Sequence, residues 1–402
     1  MKTSPSLLVQ WAQLIALAFA HFVFDCFPGL MHTILPAIQE SFVLNIQAGG
    51  VLLTVFLVAS NGIQILIGHL RCEQDRPLFL YLGLLLTCAI LFFGWVSPQS
   101  HPLLWLSLIA FVCGCGVGMT HPESLRAIHR LDGISSSLSS AIFMGGGVFG
   151  FAFGSFASTH LFQRYGFFAL IPFCITSVAA LVMMLLFRIR LAVERDEHDR
   201  QTRHSQQSLH LPVSFWTVMA IATLGACSVQ VLMWIVPQHI SHIGADLTRG
   251  GKAVSLFSLA GGVGGIVLAR SAARRGEMKT VALMLATGVP FVLGYVLLLE
   301  YKISVLLLAV GGFFCFGAYP LMVSIARHCK GPNLGRRMGL IVGGIWLGAC
   351  LLPMLLGPVA KHLGTGFVIF LCPVGFLLAL ALSVRTAIKC SRINGPKGCP
   401  HV

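Results

Sequence analysis

The sequence predicts an all-α integral membrane protein whose twelve transmembrane helices form two pseudo-symmetric bundles of six. Composition, the spacing of apolar runs and the placement of basic residues all predict it. Of the 402 residues, 56% are hydrophobic and only 10% are charged, against roughly 25% charged in an average soluble domain. A soluble core cannot absorb that much apolar surface. One crossing takes about 20 mostly apolar residues, so this length, with loops, permits about twelve.

Taken in order, the apolar runs predict helices over Leu8–Ile38, Ile46–Leu70, Pro77–Val96, Pro102–Ala127, Leu138–Leu161 and Gly166–Phe187. After a polar stretch come Val213–Ile240, Ala253–Ala269, Thr280–Leu299, Ile303–Ile325, Met338–Val359 and Thr365–Val384. The first span is far longer than the apolar region of a signal peptide, so it reads as a retained helix. Most of the 13 cysteines, among them Cys88, Cys174, Cys227 and Cys315, fall within helices. No disulfide framework is implied.

The formal charge of +14 raises nucleic acid as a partner, but the basic residues are sorted by side. With the amino terminus inside, alternate loops and both termini hold 22 Lys and Arg, including Arg71, Arg76, Arg126, Arg130, Arg188 and Arg190. The opposite face holds five: Arg164, Arg249, Lys252, Lys302 and Lys361. That asymmetry follows the positive-inside rule and places both termini in the cytoplasm. The charge then serves orientation and contact with anionic lipid, and nucleic acid is not an expected partner.

The polar stretch Arg188–Leu211 divides the chain into an amino-terminal bundle (1–187), a cytoplasmic linker (188–211), a carboxy-terminal bundle (212–386) and a cytoplasmic tail (387–402). The halves are weakly self-similar. Ile34-Leu35-Pro36 is echoed by Ile235-Val236-Pro237, and Ala127-Ile128-His129 by Ala326-Arg327-His328. With the 6+6 count, this points to a duplication about an axis along the membrane normal.

Helix five carries Gly146, Gly150 and Gly154, a stripe along one face where another helix can approach closely. Gly114 with Gly118, Gly261 with Gly265, and Gly344 with Gly348 repeat the spacing. Such stripes serve static packing or a moving face between the halves.

Of thirteen acidic residues, only Asp25 and Glu123 fall inside apolar spans. A carboxylate at the bilayer centre costs about 2.5–3.5 kcal/mol on insertion scales, so it is expected to face a partner or a watery cavity and to serve transport. Asp25 lies near mid-helix, and His21, one turn earlier on the same face, can share a proton with it. Glu123 belongs to His121-Pro122-Glu123-Ser124, with Arg126 positioned one turn later to pair with it. Pro122 frees backbone carbonyls there and favours a cavity or hinge. His121 is placed to tune the carboxylates, and Arg126 suits an anionic ligand. In the second half Ser228, Gln230, Trp234, Gln238 and Tyr319 offer hydrogen bonds or stacking to a cavity.

Gly145, Gly147 and Gly150 spell a dinucleotide-binding glycine pattern, but inside an apolar helix with no preceding strand. His121-x-Glu123 resembles the start of a zinc deaminase signature, yet no Pro-Cys-x-x-Cys follows. No Walker-type loop occurs either, so direct use of ATP is not expected. The chain reads as a transporter and not as an enzyme. No cofactor or resident metal is implied.

The stretch Gly116-Val117-Gly118-Met119-Thr120-His121-Pro122-Glu123-Ser124, with Arg126 and the glycine-rich Ala141–Gly154 segment after it, resembles the fosmidomycin-resistance branch of the major facilitator superfamily. So does helix one, through His21, Asp25, Pro36 and Gln39-Glu40-Ser41-Phe42. The resemblance is clear over Ala20–Gly154 and thin in the second half. It implies the major facilitator fold, alternating access, and efflux of small molecules in exchange for protons, with helices one, four, seven and ten lining the path. Members of the superfamily usually carry Gly-x-x-x-Asp-basic between helices two and three as an inward latch. Here Gly68 is followed by Cys72 and Glu73, and in the second half Gly265 by Ala269 and Arg270. Ser155 stands where the antiporter glycine motif has proline.

The reading is therefore a monomeric inner-membrane antiporter that exports a small polar or amphiphilic molecule against protons. An importer of a nutrient or metal chelate on the same scaffold is the alternative. A membrane-embedded enzyme or a receptor would instead need a catalytic constellation or a sensory domain.

Overall fold

A computed structural model describes residues 6–70, 74–192, 211–332, 337 and 340–394. It is helical almost throughout, as hydrocarbon demands, because a helix pairs its backbone groups within its own segment. Two compact units divide the chain, Met1–Gln207 and Ser208–Val402.

The first unit contains α1 (Leu7–Ser41), α2 (Ile46–Leu70), α3 (Leu78–Thr87, continued by a 3-10 stretch over Cys88–Trp95), α4 (Pro102–Ile128), α5 (Ser136–Tyr165) and α6 (Ile171–Leu186). Among the described residues, eleven helical runs are long and apolar enough to cross a membrane, and one of them, Leu138–Leu186, has 49 residues. At 1.5 Å per residue that run would span roughly 73 Å, more than twice the hydrocarbon thickness, so it holds two crossings. The break is Gly166, whose φ of 54° ends α5 before the 3-10 turn Gly166–Leu170 leads into α6. Twelve crossings result.

The second unit contains α7 (Phe215–His242), α8 (Leu247–Arg275), α9 (Glu277–Leu297), α10 (Ser304–His328), α11 (Leu340–Leu363) and α12 (Thr365–Asn394). Asp246 caps α8 by accepting the Thr248 N–H at 2.7 Å, and Gly276, at φ 89°, turns the chain directly into α9. Two helices depart from regular α geometry, with π-helical turns at Gly312–Phe316 in α10 and Leu340–Gly344 at the start of α11. One short pair of strands accompanies the helices among the described residues. Leu211–Ser214 is a strand (β1) that pairs in parallel with Cys329–Lys330 (β2). Pro212 lacks an N–H and suits such an edge position. Helix α12 also runs ten residues past the expected Val384, because Arg385 and Lys389 are good helix formers and complement the negative end of the helix.

Within the first unit α1 packs chiefly on α5, α2 and α3 pack on α4, and α6 packs on α1 and α3. Phe24, Phe27, Leu30, Met31 and Ile34 of α1 are fully buried, so α1 lies at the heart of this unit. The outer faces are apolar instead: Leu82 and Leu85 of α3, Leu108 and Phe111 of α4, Phe149 and Phe153 of α5, and Val178 and Val182 of α6 are exposed. In a bilayer those faces meet lipid. The second unit repeats the pairing of α8 and α9 on α10, but α7 packs chiefly on α12.

The glycine stripe of α5 explains the tightness of α1 on α5. A methyl group at Gly146, Gly150 or Gly154 would overlap the carbonyl of Ala18, Phe22 or Cys26, one turn of α1 for each turn of α5. The stripe thus faces α1 of its own unit, which is where static packing places it. Gly114 and Gly118 meet the carbonyls of Phe56 and Ser60 in α2 in the same way. Gly261 and Gly265 face Phe316 and Pro320 of α10, whereas Gly348 has nothing within 4 Å and makes no close approach.

Candidate functional site

Asp25 is the centre of the site. One turn earlier on α1, His21 brings Nε2 to 3.2 Å from Asp25 Oδ2, and from α4, His121 brings Nε2 to 3.1 Å from Oδ1. Each carboxylate oxygen therefore faces one imidazole. The histidines are fixed from behind. His21 Nδ1–H donates to the Phe143 carbonyl of α5 at 2.8 Å, and His121 Nδ1–H donates to the Val117 carbonyl of its own helix at 3.0 Å. A carbonyl oxygen only accepts, so both Nδ1 atoms carry hydrogen and both Nε2 atoms are left to face the carboxylate.

Apolar rings and a missing side chain shape the surroundings. The Phe143 ring lies tilted against the His21 ring with centroids 4.0 Å apart, and Phe24 meets His121 at 4.6 Å. Gly147 of α5 sits over the group, where a methyl would fall 2.5 Å from Asp25 Oδ2 and would also overlap His21 Nε2. His21 is only 4% exposed, while Asp25 and His121 keep 19% and 24% of their side chains accessible. Three helices, α1, α4 and α5, thus close a polar group that is shielded on one side and open on the other.

Glu123 does not join this group. Residues two apart on a helix point roughly 200° apart, so Glu123 faces away from the side of α4 that carries His121. Its Oε2 accepts the Leu80 N–H at 2.7 Å, in the first turn of α3, and the side chain is buried. A carboxylate there satisfies one of the otherwise unpaired donors of the α3 start and meets the positive end of its dipole. Arg126, one turn after Glu123 on α4, reaches the end of the bundle. Its guanidinium donates to the carbonyls of Gln74 at 2.7 Å and Ala192 at 2.6 Å, and Arg130 donates to Leu191 at 3.2 Å. The segment after α6 is thereby tied to the α2–α3 connection.

Cys72 and Glu73, the altered latch positions, lie outside the described residues, as does 193–210 of the expected linker and 395–402 of the tail. Gly68 lies in the last turn of α2 and Arg270 near the end of α8. Sequence reasoning missed Asp75. Its carboxylate meets Arg190 at 3.5 Å and its carbonyl accepts the Leu191 N–H, so an acidic residue does hold this end of the unit, three positions past the usual one.

In the second unit, Ser228 accepts the Phe376 N–H at 3.0 Å and so joins α7 to α12. Tyr319 donates to the Ile341 carbonyl at 3.3 Å, stands 5.5 Å from the Trp346 ring, and helps wall an apolar cavity of about 30 Å³ with Phe316, Met322 and Val229. That space is too small for a substrate. Gln230 is buried on α7. Trp234 and Gln238, one turn apart on the same helix, are buried with Trp234 Nε1 and Gln238 Nε2 lacking a hydrogen-bond partner among the described residues.

Twelve membrane-crossing helices in two units, with a charged group held in the interior of the first, define a polytopic membrane transporter. The description of the Major Facilitator Superfamily matches residues 17–319, and the chain belongs to that superfamily. Among curated relatives, the Fosmidomycin resistance protein of Escherichia coli (strain K12) is 26% identical over 169 residues, 42% of this chain and 41% of that protein. The aligned stretch thus spans less than half of the relative. Among solved structures, a bacterial homologue of the human lysosomal transporter Spinster, inward-facing and unoccupied, matches with a TM-score of 0.71 at 12% identity, covering 96% of this chain and 99% of that one. A D-xylose–proton symporter matches with a TM-score of 0.70 at 13% identity over 93% and 97%. These two likenesses are likenesses of fold.

Proposed function

We propose that this chain is a proton-coupled exporter of a small polar or amphiphilic molecule, working by alternating access in the bacterial inner membrane with both termini cytoplasmic. The observation that carries the reading is Asp25 held between two imidazole Nε2 atoms inside a membrane bundle. With zero, one or two protons on those nitrogens, the three side chains together carry −1, 0 or +1. A net charge inside hydrocarbon is costly, so passage through an occluded state favours the neutral, singly protonated group. Proton occupancy and conformational change are coupled in this way. Arg126 and Asp75, tying down one end of the same unit, act as its gate fastening in place of the usual latch. The sorting of basic residues supports the orientation. The relative named for fosmidomycin resistance supports export, and makes fosmidomycin the first compound to try.

The test uses everted membrane vesicles, energised to be acid inside, from cells with and without the protein, challenged with a compound panel that includes fosmidomycin. An exporter accumulates its substrate in these vesicles and releases protons as it does so. Accumulation only in right-side-out vesicles would establish import and overturn the proposed direction.

A further inference from the structure

The cluster at Asp25 has a second chemical identity. Two neutral imidazole nitrogens and one carboxylate oxygen, all within 4.8 Å of one another, form the donor set of a two-histidine, one-carboxylate metal site. The geometry points to His21, Asp25 and His121 binding one divalent transition-metal ion of the zinc class.

Three features beyond the residue types carry this. First, each imidazole is oriented by an Nδ1–H bond to a backbone carbonyl, Phe143 for His21 and Val117 for His121. That is the outer-sphere arrangement that fixes the tautomer of a metal-ligating histidine and leaves the Nε2 lone pair as the ligand. Second, the lone pairs are aimed at an anion. Nε2 without hydrogen at 3.1–3.2 Å from a carboxylate oxygen is repulsive, so the site requires a cation between the groups, whether a proton or a metal. One ligand atom from each of His21, Asp25 and His121 lies within 4.8 Å of the other two, and side-chain adjustment alone would draw them to the roughly 3.3 Å between donors of a tetrahedral zinc site with bonds of about 2.0–2.1 Å. Third, space is kept at the focus. Gly147 presents no side chain there, and the partial exposure of Asp25 and His121 leaves room for water to complete the coordination. Nitrogen donors select Zn²⁺, Co²⁺ or Ni²⁺ over Mg²⁺ and Ca²⁺, which prefer all-oxygen shells.

A consequence follows for transport, and this part rests on the proton-coupling reading above. A metal ion would occupy the Nε2 lone pairs that protons otherwise use, so zinc is expected to arrest the carrier by holding its proton site.

Purified full-length protein in detergent, freed of metal with a chelator, is titrated with Zn²⁺ by calorimetry and with Co²⁺ by visible absorption. The expected result is one tight site per chain with a low-coordinate Co²⁺ spectrum, weakened at least tenfold in both Asp25→Asn and His121→Gln. His160→Gln, on α5 away from the cluster, should bind as the parent does, and Mg²⁺ should not compete. Matching elution profiles on gel filtration verify that the variants are folded. Absence of a tight site, or tight binding unchanged in both cluster variants, overturns the proposal. Tight binding at the cluster with zinc-insensitive proton movement would leave the metal site standing and overturn the proton-coupling role of the same residues.

Discussion

His121 Nε2 lies 3.1 Å from Asp25 Oδ1, joining α4 to α1 inside the first unit. This contact makes the carboxylate symmetric in its surroundings, since His21 meets the other oxygen at 3.2 Å. The two histidines differ in one respect. His21 is enclosed by Phe143 and Phe24, while His121 retains access to the open side. On the proposed proton-coupled reading, His121 is the residue that exchanges protons with water, and His21 the one that holds Asp25 in position.

That difference predicts unequal effects of the same substitution. His121→Gln keeps a hydrogen-bonding group but cannot exchange a proton, and should reduce gradient-driven transport by at least tenfold with little change in thermal stability. His21→Gln should lower stability as well, because it disturbs a buried bond to the Phe143 carbonyl. Transport assays and thermal melts on the two variants check the split, and equal effects on both measures would contradict it.

Gly147 and Gly150 are three residues apart and should fail in different ways. Alanine at 150 overlaps the Phe22 carbonyl, a backbone atom that cannot step aside, so Gly150→Ala should cost about 1–3 kcal/mol and reduce the amount of folded protein. The atoms nearest an alanine methyl at 147 are the ends of the His21 and Asp25 side chains, which are not backbone. Gly147→Ala should reach the membrane in normal amount and lose transport. Fluorescence-detected gel filtration beside uptake assays separates these outcomes.

Glu123→Gln retains an acceptor for the Leu80 N–H but removes the charge at the start of α3. A loss of about 1–2 kcal/mol in stability is expected, with substrate exchange preserved. Loss of proton coupling with unchanged melting would instead place Glu123 in the proton path.

Trp234→Phe removes a donor for which the described residues provide no acceptor, so the fold should tolerate it. If the indole N–H serves substrate, the KM rises several-fold while kcat is kept. A KM equal to that of the parent would remove Trp234 from the binding surface.

Much of this arrangement is legible in the sequence, for identifiable reasons. Apolar runs of membrane length mark the helices because hydrocarbon allows little else. Asp25 stands out as a charge within such a run, and helical geometry alone puts His21 beside it. The contact with His121 is not local, and nothing in the spacing of α1 and α4 reveals it. Glu123 shares the apolar setting of Asp25, although the two-residue step from His121 already turns it to the other face of α4. Gly147 enters the sequence reading only through a dinucleotide-binding pattern that the apolar helix rules out, because the four-residue stripe accounts for Gly146 alone. The π-helical turn at Gly312–Phe316 leaves no mark on hydropathy, and the pairing of Leu211–Ser214 with Cys329–Lys330 joins distant segments.

The most direct test of the central claim is substrate-driven proton flux in proteoliposomes containing the parent protein or Asp25→Asn, read with an internal pH dye, beside isotope exchange of the same substrate at equal pH on both sides. The account predicts that the parent shows both, and that Asp25→Asn keeps exchange while losing proton flux. Proton flux at parental rate in Asp25→Asn would contradict it.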